Sequence, residues 1–140
     1  SCHFLKKIES EDSWNNEKLN DTWAKILEIK DAFSFAVEHK RNLKEIKSSL
    51  EAKAEIFLKN LEHKKIAESI NLSEILISSD VKLSDSFDDN FLFNSDEKKI
   101  GVNISKDNGE KCPRCWKLVK SIKKSNDLCD RCSLVINEDY

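Results

Sequence analysis

Lys111-Cys112-Pro113-Arg114-Cys115-Trp116, followed after thirteen residues between the cysteine pairs by Cys129-Asp130-Arg131-Cys132, is the stretch that decides how this chain is read. A gap of two residues lets both sulfurs of a pair converge on one ion from a tight turn. Two such knuckles supply four thiolates in a tetrahedron, the arrangement Zn²⁺ takes in closed sites. No His or carboxylate is required. A disulfide framework and a redox Cys-x-x-Cys compete with this reading, but no secretory signal is visible and a redox pair needs no duplicate. The expectation is one Zn²⁺ on Cys112, Cys115, Cys129 and Cys132, structural because four protein ligands leave no position for water or substrate. Cys2, the fifth cysteine, is expected to be a free thiol.

The charge is distributed in step with the cysteines. The chain has 140 residues, 24 Lys plus Arg against 26 Asp plus Glu, and a net charge of -2. Residues 98–132 nevertheless hold ten bases against four acids, whereas residues 80–97 hold six acids and one Lys. Four thiolates and one dication remove two charges and leave the basic excess standing. It is concentrated around Trp116, Lys117, Lys120, Lys123 and Lys124, which makes the C-terminal part a candidate for polyanion contact and Trp116 a surface on which a base could stack. The competing reading is a solvated Lys-rich face, with Trp116 packed over the thiolates. Only three of the bases are Arg, and two of them, Arg114 and Arg131, occupy equivalent places in the knuckles. Each serves either the metal, by balancing the tetrathiolate, or a polyanion, through its planar fork.

Further out, the composition is 39% apolar and 36% charged, with one Pro and two Gly. That excludes collagen-like, low-complexity and fully disordered classes, and no run reaches the length of a membrane span. The lack of any Met, with the opening Ser1-Cys2-His3-Phe4, predicts a piece of something longer. Residues 1–20 carry scattered apolar positions (Phe4, Leu5, Ile8, Trp14, Leu19) and read as an extended lead-in. From Asp21, the expected N-cap, Trp23, Ile26, Leu27, Ile29, Phe33, Ala36 and Val37 recur at helical spacing to about Lys47, and this stripe is expected to be core. Residues 51–59 alternate like a strand but are written in helix-favouring residues, so periodicity leaves both readings open. A charged helical piece follows over about 60–70, then Ile75-Leu76-Ile77, an acidic stretch with a loop at 85–90, and a clean strand pattern at 100–104. The fold class is α+β: a long helix, a small mixed α/β unit and a four-cysteine zinc-ribbon-like finger. The units are 1–20, 21–105 and 106–140. The finger is expected to gain little from burying Leu118, Val119, Leu128 and Leu134, and to rest on its metal.

Two blocks carry a resemblance. Gly109 to Trp116 with Leu128 to Cys132 resembles the C-terminal zinc finger of bacterial isoleucyl-tRNA synthetases. Independently, Trp23, Leu27, Asp31, Glu38, Arg41, Lys44, Ile46, Ser49, Leu50, Glu51 and Ala52 match, in order and spacing, that family's long helix passing through Ser-Leu-Glu-Ala into a strand. Lys30 stands where Arg is common and Lys47 where the family often has Gly. The resemblance covers roughly residues 20–135 and implies a strand over 52–58. It further implies that residues 21–105 form a tRNA-binding junction domain after a helical anticodon-binding domain, and that the finger helps hold tRNAIle at its anticodon end. The implied partners are tRNAIle and the remainder of the synthetase chain, with a monomeric, cytoplasmic protein and no membrane. Together with the charge and aromatic pattern around the knuckles, this makes Arg114, Trp116, Lys117, Lys120, Lys123, Lys124 and Arg131 the expected RNA-contacting residues.

The family's catalytic elements, a His-x-Gly-His-like motif and Lys-Met-Ser-Lys-Ser, are absent from this sequence. The expected enzyme is therefore a longer isoleucine–tRNA ligase, with no catalytic site in this stretch. His3, His39 and His63 stand alone and read as surface or core residues. Two alternatives come from other classes: a free-standing zinc-ribbon adaptor that binds protein, and the tail of an Fpg-type DNA glycosylase, whose finger also reads Cys-x-Arg-Cys.

Overall fold

The computed structural model describes residues 11–86, 89–93, 97–123 and 127–137; the expectations placed on Cys2, His3, Phe4, Leu5, Ile8 and Lys124 lie outside these residues. The long helix α1 spans Glu17–Asn42. It is opened by Asn16, whose side chain accepts the N–H of Leu19 at 3.0 Å, one of the donors a helix start leaves without a partner. The cap is thus Asn16, and Asp21 lies inside the helix. The supposed lead-in holds a 3₁₀ turn, Asp12–Trp14, and the first residues of α1. At the other end the helix stops at Asn42, short of Lys47, because Lys44 enters the left-handed region at φ 58°. That is the turn Gly usually fills after a helix. Lys47 is outside the left-handed region, so its place needs no Gly.

The face of α1 that is buried comprises Ile26, Ile29, Ala32, Phe33, Ala36 and Val37. Trp23 and Leu27, expected in this stripe, are 45% and 50% exposed. The reason is geometric: steps of four residues overshoot the 3.6-residue turn, so Leu19, Trp23 and Leu27 drift around the helix away from the core face.

Strand β1, Ala52–Leu58, resolves the ambiguous segment. Ala52, Ala54, Ile56 and Leu58 are buried while Glu55 is exposed. Helix propensity yields because strands on both sides hydrogen-bond to it, which a segment of seven residues with alternate burial favours. Helices α2, Leu61–Ser69, and α3, Leu72–Ile75, carry the chain to β2, Asp80–Ser84, parallel to β1. After β3, Leu92–Phe93, strand β4, Ile100–Lys106, pairs antiparallel with β1, so the sheet order is β2-β1-β4-β3. Ile56 lies opposite Val102 and Ala54 opposite Ile104. These residues share one core cluster with Ile29, Ala32, Phe33, Ala36 and Val37 of α1. Glu28 of α1 reaches the buried His63 of α2, Oε2 to Nε2 at 2.9 Å; His63 is a core residue, and His39 is exposed. No helix among the described residues is long and apolar enough to cross a membrane.

Candidate metal centre

The finger is assembled from two small pieces. Strands β5, Glu110–Lys111, and β6, Leu118–Val119, pair antiparallel, and helix α4 spans Asp130–Asn137. The first knuckle sits in the turn between the two strands, closed by Trp116 N–H donating to the Cys112 carbonyl at 2.8 Å and Cys112 N–H to the Lys117 carbonyl at 3.0 Å. Trp116 takes φ 65° to make that turn. The second knuckle straddles the start of α4, with Cys129 before the helix and Cys132 in its first turn. Gly109 enters the hairpin against the backbone of Val119: a Cβ there would lie 2.4 Å from the Val119 carbonyl oxygen. Only a residue without a side chain fits.

Both knuckles bring their sulfurs to one point. The Sγ atoms of Cys112, Cys115, Cys129 and Cys132 all lie within 4.8 Å of one another, and those of Cys115 and Cys129 are 3.7 Å apart. A tetrahedron with zinc–sulfur bonds of about 2.3 Å puts its sulfurs about 3.8 Å apart, so the donor set and its spacing fit one closed Zn²⁺. Cys112, Cys129 and Cys132 are buried. Burial raises the Cys112 thiol, but N–H donors from Cys115, Cys129 and Arg114 outweigh it and bring the thiol down to about 6. Burial, reinforced by neighbouring thiols, pushes Cys129 up to about 12, and burial also raises Cys115. A dication held among the four sulfurs would favour their thiolate forms against the cost of burial.

Around this centre the expected polyanion residues divide. Arg114, Lys120 and Trp116 are exposed, and neither Arg114 nor Lys120 carries an ion pair among the described residues. Trp116 is 60% exposed. Its indole N–H donates to the Pro113 carbonyl at 3.1 Å, and Lys111 Nζ stands 5.6 Å from its ring centroid. Lys123 pairs with Asp130 at 3.2 Å. Leu134, expected to be buried, is 61% exposed because it turns away from the sulfurs on α4.

The remaining two candidates face the helix–sheet unit. Arg131 Nε lies 3.3 Å from Glu74 Oε1, and Lys117 Nζ donates to the Ser73 carbonyl at 3.4 Å, both on α3. Beside them the Ser79 hydroxyl accepts the Leu118 N–H at 3.0 Å and donates to the Leu50 carbonyl, while Ser79 N–H donates to Ala52 at 3.0 Å. One serine thus pins β6 of the finger to the entrance of β1. Sequence reasoning missed Ser73, Glu74 and Ser79, because nothing in their spacing marks them; Lys111 was legible only as one base among many.

Comparison with known proteins agrees with this geometry. Residues 109–135 match the family described as the zinc finger found in FPG and IleRS. The class is therefore a four-cysteine zinc-finger protein with one structural Zn²⁺. Across nearly the whole chain the similarity is to isoleucine–tRNA ligases: 37% identity over 139 residues with that of Caldicellulosiruptor bescii, covering 95% of this chain and 14% of the relative. The ligase of Natranaerobius thermophilus is 34% identical over 128 residues, 86% of this chain and 14% of the relative. That of Zymomonas mobilis is 29% identical over 138 residues, 99% of this chain and 13% of the relative. The chain belongs with the C-terminal, zinc-finger-bearing part of isoleucine–tRNA ligases and spans about one-seventh of the length of these relatives. The finger alone fits the FPG reading equally well; the match over the helix and sheet is to the ligases.

Proposed function

We infer that this chain is the tRNA-binding C-terminal segment of an isoleucine–tRNA ligase, holding tRNAIle at its anticodon end while the remainder of the enzyme attaches isoleucine in an ATP-dependent reaction. The observation that carries this reading is the exposure of Arg114, Trp116 and Lys120 around a closed four-sulfur centre. A site with no open ligand position does no chemistry on a substrate, so the ion's work is to hold these side chains in place. Arg114 supplies a bidentate fork for phosphate or a plane for stacking, and Trp116 a stacking surface. Lys120 and Lys123, with Lys124, add sequence-independent attraction. Arg131 and Lys117 are assigned to seating the finger on α3. The working form is a monomer in the cytoplasm, continuous with the remainder of the synthetase chain.

The test is tRNA binding by the zinc-loaded chain. Replacing Lys120 and Lys123 with Ala flattens log K against log salt by about 0.7 for each phosphate no longer neutralised and leaves discrimination between tRNAs nearly intact. Trp116→Ala and Arg114→Lys weaken cognate binding more than non-cognate, at unchanged zinc content. If Arg114→Lys keeps its zinc and binds tRNAIle like the parent sequence, the recognition role of Arg114 is wrong. Co-purification of a protein partner without any RNA binding would favour the adaptor reading instead.

A further inference from the structure

The four sulfurs of the metal centre are not equally covered. Cys112, Cys129 and Cys132 are 0%, 6% and 1% exposed, whereas Cys115 is half-buried. Cys112 is held most closely: its Sγ accepts the Cys129 N–H at 3.5 Å, and its own N–H and carbonyl close the first turn on Lys117 and Trp116. Thiolates react with oxidants where solvent reaches them, so the ion's protection of the set is weakest at Cys115.

A path to that sulfur exists. A cleft of about 290 Å³ runs between the finger and α3, far more than a small polar reagent such as water needs. Cys115 and Cys129 both line it, and neither Cys112 nor Cys132 does. The Sγ atoms of Cys115 and Cys129 are 3.7 Å apart. They belong to different knuckles, so the sulfurs that share the cleft are a pair made by the fold and not a Cys-x-x-Cys pair. The remaining walls are polar, and Lys117, Lys120 and Arg131 outnumber Glu74 and Asp130 along them, which favours a departing anion.

We propose that Cys115 is an oxidation site, entered through this cleft by a hydroperoxide, and that Cys129 resolves it into a disulfide across the two knuckles. The Cys115 thiolate attacks one oxygen of H₂O₂, the O–O bond breaks and hydroxide leaves, giving a sulfenic acid. The Cys129 thiolate then attacks that sulfur and expels a second hydroxide as the S–S bond forms. Two thiolates have given up two electrons in all, and one peroxide has become two hydroxides, which take protons from solvent. Cys112 and Cys132 then offer two sulfurs, too few for a closed tetrahedral site, so the disulfide releases the ion. A thiol reductant restores both thiolates and lets the site refill. The modification follows from the arrangement of the sulfurs and is independent of what the finger binds.

The experiment uses the zinc-loaded chain carrying Cys2→Ser, which removes the fifth thiol. Trypsin cuts after Lys111, Arg114, Lys117, Lys124 and Arg131, so each of the four cysteines falls on its own peptide. Limiting iodoacetamide should mark Cys115 at least about tenfold faster than Cys112, Cys129 or Cys132. Hydrogen peroxide should join the Cys115 and Cys129 peptides and release one Zn²⁺ for each disulfide, read with a chromogenic chelator; dithiothreitol with Zn²⁺ should reverse both. Ser121→Trp, at an exposed position lining the cleft, should keep full zinc and slow the release at least about threefold by narrowing access. First alkylation of another of the four, or a peroxide-formed disulfide within one knuckle, overturns the assignment of Cys115 and Cys129. So does zinc retained at a peroxide dose that oxidises a free cysteine peptide. The parental release rate in a zinc-loaded Ser121→Trp overturns the cleft as the route; the alkylation order is read without that substitution and stands whatever tryptophan does to the finger.

Discussion

The finger and the helix–sheet unit keep their shape by different means. In the helix–sheet unit, Ile29, Ile56, Val102 and Ile104 are among the residues at or near zero exposure, in a cluster fed by α1, β1 and β4. In the finger the buried residues of the cluster are Cys112, Cys129 and Cys132, with Cys115, Val119 and Leu128 half-buried beside them. Leu134, Val135 and Ile136 of α4 face outward. Apolar burial can sustain the first unit, whereas the second is too small to be held that way and depends on its ion. The two meet through Ser79, the Lys117–Ser73 hydrogen bond and the Arg131–Glu74 pair. This difference teaches that an ordered set of exposed side chains can be built from few residues if a metal supplies the rigidity that a core would otherwise provide.

Metal removal gives the largest effect. Structural zinc is worth about 10–16 kcal/mol of apparent binding in small fingers, so chelation should erase amide protection over 109–137 while β1 and β4 stay protected in hydrogen exchange. Uniform loss along the chain would break the comparison, since it would mean that the sheet also leans on the ion. The opposite perturbation is Ile56→Ala, at a side chain with 0% exposure. It should cost about 2–5 kcal/mol of helix–sheet stability, read by denaturant unfolding, without lowering the zinc stoichiometry.

The joint should respond more weakly. Ser79→Ala leaves the Leu118 N–H and Leu50 carbonyl without their shared partner, a loss of about 1–3 kcal/mol. Residual dipolar couplings should then show the finger reorienting against β1 with zinc retained; unchanged couplings would assign the seating to the α3 side chains and carbonyl instead.

The smallest effect belongs to the surface. A hydrogen bond and the charge of Lys25, 2.8 Å away, hold the Glu62 carboxyl below its usual value. A lowered carboxyl contributes stability above its unfolded-state pKa and loses it as the pH falls through the folded one. Glu62→Gln should therefore lower the melting temperature slightly at neutral pH, by an amount that shrinks as the pH falls below the ordinary carboxylate range. A constant offset across that range would point to lost packing between α1 and α2 instead of lost charge.

Much of the metal centre was legible in the sequence because its determinant is local: a two-residue gap lets each cysteine pair meet one ion from a single turn, and the four sulfurs do converge. The core half of α1 and the alternation of β4 were legible for the same reason, since one side chain in each short period meets the core. Tertiary structure decided the rest. Residues 52–58 are a strand because β2 and β4 flank them, and Trp23 and Leu27 are exposed because the core lies on a neighbouring face of α1. Arg131 stands 3.3 Å from Glu74 only because the fold brings α3 to the finger. Ser79 gained its role only when Leu118, thirty-nine residues away, reached it. Spacing along a chain fixes what one turn can do; which surfaces meet depends on burial and hydrogen bonds between segments that the sequence keeps far apart.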